Sequence, residues 1–86
     1  MHEQRKELKE HTQELKRAID SLTEELEAID WYNQRIDASE DDDLIKILKH
    51  NAKEEKEHAA MLIEWIRQND DEFSQELKEQ LYKVEG

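Results

Sequence analysis

Apolar residues recur along the chain with the period of a packed helix. Leu8, Leu15, Leu22, Ile29 and Ile36 stand seven apart, and His11, Ala18, Glu25 and Tyr32 form a second row between them. The two rows alternate three and four residues, the a/d seam of a helix that packs along its length. This predicts a first helix at about residues 4–37. The run Asp37-Ala38-Ser39-Glu40-Asp41-Asp42-Asp43 interrupts it. Ser39 is the expected N-cap of the next helix, with Asp42 three residues on imitating a capping box, and the carboxylates suit a helix N-terminus. A second helix is expected at about 40–68, its seam made of Ile45, Ala52, Ala59 and Ile66 alternating with Leu48, Glu55 and Leu62. Asn69-Asp70-Asp71 offers a stop and a new N-cap. A third helix, at about 71–84, carries Phe73, Leu77, Leu81 and Val84 on one face, and its shortness requires it to dock on a neighbour. The fold class is all-α, an antiparallel two-helix hairpin plus a short C-terminal helix.

Composition agrees with long helices. Proline is absent and the one glycine is Gly86. At 86 residues the chain is expected to be a single domain, 1–86. Such a chain buries little surface and usually needs a staple or a partner. It has no cysteine, which excludes disulfides and thiolate sites and leaves a metal held by N and O ligands, or oligomerisation. The net charge of −11 argues against a nucleic-acid backbone or an anionic membrane as main partner and fits the handling of cations. No run spans a bilayer and no segment reads as a signal peptide, so the expected compartment is the cytoplasm or something enclosed within it.

Two carboxylates stand where the pattern asks for apolar residues. Glu25 is in the seam of the first helix and Glu55 in that of the second. Ionised carboxylates in a helical interface are costly unless paired or bound to metal. His58 follows Glu55 by three residues, so both reach one ion from one helix face. By itself Glu-x-x-His is a weak motif in a chain with 16 Glu; its place in the seam gives it weight. Carboxylate and imidazole without thiolate suit iron, manganese or zinc. Di-iron carboxylate bundles use one Glu from each of two helices and Glu-x-x-His from each of the other two. One chain supplies half of that set, so the expected site lies on the two-fold axis of a homodimer. The structural alternative for Glu25 and Glu55 is an ion pair with Lys or Arg across the hairpin. For His58 it is a hydrogen-bonded interface histidine, and for Tyr32, Trp31 and Trp65 simple packing. His2, His11 and His50 lack a Glu at matching spacing and are read as non-ligands.

The stretches Glu24-Glu25-Leu26-Glu27-Ala28-Ile29-Asp30-Trp31-Tyr32 and Asn51-Ala52-Lys53-Glu54-Glu55-Lys56-Glu57-His58-Ala59-Ala60-Met61, continuing to Glu64-Trp65-Ile66-Arg67, resemble the encapsulated ferritins. The resemblance covers about residues 10–84. It implies a ferritin-like four-helix bundle completed by homodimerisation, dimers assembled into a decameric ring, and residence inside an encapsulin shell. It also implies a ferroxidase that oxidises Fe(II) to Fe(III) at a centre of two irons per dimer, supplying iron for mineral storage within the shell. The ligands of that centre fall on Glu25, Glu55 and His58. Tyr32 matches the tyrosine beside it, and Glu24, Glu27 and Trp31 match residues near the route by which metal arrives. Members that stand alone carry a C-terminal tail that docks to the shell. This chain stops at Gly86 without one, the expectation for a truncated chain or one fused to the shell protein. Two other readings compete: an acidic helical assembly module without catalysis, and a di-metal bundle that reduces peroxide.

Overall fold

The computed structural model describes residues 2–82, with side chains from Glu10 onward. Three helices follow one another: α1 (His2–Ala38), α2 (Asp42–Asn69) and α3 (Asp71–Leu81). The expected ends at residues 83–84, Val84 among them, and the side chain of Leu8 lie outside the described residues. α1 packs along α2 as an antiparallel hairpin, and α3 packs on α2 alone among the described residues.

The seam is the inner face of the hairpin. Ala18, Leu48, Ala52, Ala59 and Ile66 are buried. Leu15, Leu22, Ile29, Tyr32 and Ile36 face them half-buried. His11 is exposed. α1 has 37 residues and α2 has 28, so α1 outruns its partner and its early seam positions have little to pack against.

The start of α2 differs from expectation. Asp41, rather than Ser39, is its N-cap, and its carboxylate accepts the N–H of Asp43 at 2.9 Å and of Leu44 at 3.1 Å. An ionised acceptor makes the stronger, charge-assisted bond to these free amides. Ser39 serves the turn instead: its Oγ accepts the N–H of Asp41 at 3.3 Å, and its own N–H donates to the Arg35 carbonyl at 3.0 Å. Asp42 and Asp43 then occupy the first turn, where the helix dipole favours negative charge. At the other end Asp70 ends α2 and caps α3, accepting the Phe73 N–H at 3.0 Å.

One layer of helices cannot enclose a core. The Cα extents are 60 × 38 × 14 Å, and the shortest is close to one helix diameter. The accessible surface is 7433 Å², whereas a compact monomer of this mass exposes about 5,400 Å². Ile66 is the one large side chain that is fully buried among the described residues. Ile19, Leu26, Trp31, Leu44, Ile47 and Met61 remain open along the hairpin. No helix among the described residues is long and apolar enough to cross a membrane.

Candidate metal centre

Glu25 on α1 and Glu55 with His58 on α2 meet midway along the hairpin. Glu55 and His58 share a helix face because they are three residues apart. Glu25 comes across from the facing seam. His58 Nδ1 stands 3.5 Å from Glu25 Oε2 and 3.8 Å from Glu55 Oε2. One ligand atom from each residue lies within 4.8 Å of the others. Two N or O donors on one ion stand at most about 4.2 Å apart, so small side-chain rotations bring the trio onto a metal.

The electrostatics favour a cation. Glu25 Oε2 is buried and has no hydrogen-bond partner. Glu25 and Glu55 are each 24% exposed, and neither forms an ion pair with Lys or Arg among the described residues. The structural alternative, a Lys or Arg partner across the hairpin, is not found among the described residues. His58 is 52% exposed and sits on the open side of the hairpin. Two carboxylates and an imidazole form an anionic nitrogen and oxygen donor set suited to iron, manganese or zinc.

The other candidate residues do not join this cluster. Glu24 and Glu27 are exposed. Tyr32 is half-buried in the seam, two turns beyond Glu25 on the same face. Trp31 is not packed between the helices: it is 48% exposed. Its ring meets that of Tyr32 edge-to-face at 5.0 Å, and the Arg35 guanidinium lies 4.1 Å above its centroid. Arg35 went unnoticed in the sequence, although its i, i+4 spacing from Trp31 was the available signal. His50 does have a Glu at helical spacing, with Nε2 3.3 Å from Glu54 Oε1. Both are exposed, and they join no three-residue cluster among the described residues.

A second polar group lies at the α2–α3 corner. Arg67 grips Glu64 through two bonds of 2.7 Å and donates to Ser74 Oγ on α3 at 3.3 Å. The Arg67 guanidinium, with the Gln68 amide, holds the Glu64 carboxyl at about 2, well below the usual carboxylate range. The carboxylate in turn pushes the Arg67 pKa up.

A helical hairpin that brings one Glu together with one Glu-x-x-His carries the donor types of the ferritin-like di-iron carboxylate proteins. The EncFtn-like family model matches residues 1–84, and the chain belongs to that family. It is 54% identical over 81 residues to an encapsulated ferritin-like protein of Rhodospirillum rubrum, covering 94% of this chain and 58% of that one. It is 41% identical over 71 residues to the encapsulin nanocompartment cargo protein EncC of Myxococcus xanthus, covering 81% of this chain and 55% of that one. The chain thus spans a little over half the length of these two curated relatives. A crystal structure of a protein from Nitrosomonas europaea superimposes with a TM-score of 0.80 at 59% identity, covering 83% of this chain and 78% of that one.

Proposed function

We propose that this chain is the ferroxidase module of an encapsulated ferritin and that two copies dock to form one di-iron site. The observation that carries the reading is the meeting of Glu25, Glu55 and His58 around an orphaned carboxylate oxygen on an open helix face. A second copy brings the same three residues, giving four carboxylates and two imidazoles, the ligand set of a di-iron bundle. The area supports this: the chain exposes 7433 Å², about 2,000 Å² more than a compact monomer of its mass. Stable interfaces bury surface of that order.

Fe(II) is the substrate. Glu55, next to the histidine ligand, bridges the two ions, Glu25 binds from the outer side, and each His58 supplies one nitrogen. Four carboxylates neutralise two Fe(II), which makes burial of the charge tolerable. Each iron gives one electron to oxygen, so that oxygen with two protons becomes hydrogen peroxide and two Fe(III) form. The harder Fe(III) suits carboxylate oxygen. Glu24, Glu27 and Trp31 line the approach, the carboxylates raising the local Fe(II) concentration. Tyr32 lies two turns along the same seam from Glu25. The dimers build a decameric ring, and the ring works inside an encapsulin shell in the cytoplasm, where the ferric product is stored as mineral.

Stopped-flow absorbance of aerated Fe(II) with the protein tests this. Ferric absorbance should rise faster than in protein-free buffer and fall to that background in Glu25→Ala and His58→Ala. A wild-type rate equal to the protein-free rate overturns the proposal.

A further inference from the structure

Resting on the ferroxidase reading, we infer that Met61 is a peroxide-accepting side chain at the rim of the metal centre, converted to its sulfoxide in place of damage to His58. Met61 follows His58 by three residues on α2, about 4.5 Å along the helix axis, and residues at that spacing are neighbours on one face. The seam of α2 here is Ala59, Leu62 and Ile66. Helical spacing turns Met61 one step further from that seam than His58. Its side chain is accordingly open, with 63% of the residue exposed. A second copy seated over His58 therefore leaves Met61 at the edge of the joint, where peroxide made between the copies passes on leaving.

The residue type and its surroundings suit this task. Cysteine is absent, and the other methionine is Met1. The Met61 thioether is thus the one sulfur near the centre among the described residues, and peroxide oxidises such a sulfur by adding one oxygen to it. In a core that change disrupts packing, because the sulfoxide is polar. Met61 is not in the core. It lines an open groove with Ala60 and Trp65, bordered by Glu57, Glu64 and Gln68. Water reaches the sulfoxide oxygen there, while the buried Ala59 and Ile66 go on holding the hairpin. The modification is therefore tolerated at this position, and a reductase of methionine sulfoxide can reverse it.

The chemistry balances without a radical. Oxidation of two Fe(II) makes one hydrogen peroxide. Its O–O bond breaks and an S–O bond forms at Met61. The sulfur gives up an electron pair, and the second oxygen leaves with both protons as water. One Met61 per chain thus takes up the peroxide made from about two irons.

The test gives the assembled protein Fe(II) in small portions under air, with and without catalase in the solution. Free peroxide is read with a peroxidase-coupled dye when catalase is absent. Peptide mass spectrometry reads oxygen addition at Met61, Met1 and His58. In the wild type, free peroxide should stay well below one per two irons until about two irons per chain have been oxidised, and then rise. Met61 should oxidise severalfold faster than Met1, and catalase should not protect it, because the peroxide is intercepted before it reaches the solution. Met61→Leu conserves the volume of the side chain. It should oxidise iron at the wild-type rate, release peroxide from the first portion and show severalfold more oxidation of His58. Ferric product with Met61 intact, Met61 oxidised no faster than Met1, or Met61 protected by catalase overturns the inference and leaves the ferroxidase reading standing. So does a Met61→Leu protein with wild-type peroxide release and His58 oxidation. No ferric product in the wild type overturns both readings.

Discussion

Glu25→Gln should stabilise the metal-free chain and destabilise its metal-loaded form relative to wild type. The carboxylates of Glu25 and Glu55 offer oxygens within 4.8 Å of each other. At that separation two unit charges repel by about 3.5 kcal/mol at an effective dielectric of 20 and by about 0.9 kcal/mol in water. Both side chains are 24% exposed, so the working figure lies between these limits, about 2 kcal/mol. The amide of Gln removes this repulsion and can donate to the remaining carboxylate, which also relieves the orphaned Oε2. For a domain of this size about 2 kcal/mol raises Tm by roughly 8–16 °C. The assay is thermal unfolding with chelator at pH 8, where imidazole is ordinarily neutral, at one protomer concentration. A redox-inert divalent ion is then added. At a hundredfold excess over Kd, binding adds about 2.7 kcal/mol to wild type, and the variant, short of one ligand, gains less. The order of the two melting temperatures should therefore invert on adding metal. The reasoning is refuted if Glu25→Gln melts below wild type without metal, or if both rise equally with it.

Asp41→Ala removes the N-cap of α2 and should cost about 1 kcal/mol in urea unfolding, whereas Ser39→Ala should cost less, the reverse of the order read from the sequence. The Glu64 carboxyl, held at about 2 against an ordinary 4.5, binds fewer protons folded than unfolded; its contribution is present above about 4.5 and is lost as pH falls towards 2. Arg67→Gln should return Glu64 to the ordinary carboxylate range in an NMR titration and speed amide exchange in α3, which loses its Ser74 tie. Glu24→Ala with Glu27→Ala should slow the appearance of ferric absorbance at low Fe(II) and leave the iron bound at saturation unchanged.

The parts of the molecule that were legible in the sequence are those fixed by a period. Leu48, Ala52, Ala59 and Ile66 are buried because helical spacing alone puts them on one face. Glu25 and Glu55 stood out because they broke that pattern with charge, His58 because it follows Glu55 by one helical turn, and the hairpin brings the three together. Features decided by competition between equals were not legible. Ser39 and Asp41 are both good caps, and only the backbone of the turn assigns them. The stacking of Arg35 on Trp31 and the reach of Arg67 to Ser74 depend on rotamers that spacing allows but does not choose. His11 falls in the seam by its period, yet it is exposed, because α1 outruns the shorter α2 near that end.

The measurement that bears most directly on the shared site is an anaerobic Fe(II) titration of the assembled protein, read as tightly bound iron per chain. Two irons held between two chains give about one per chain, and this should vanish in His58→Ala. No tight iron in wild type, or a value near two per chain, would contradict the account.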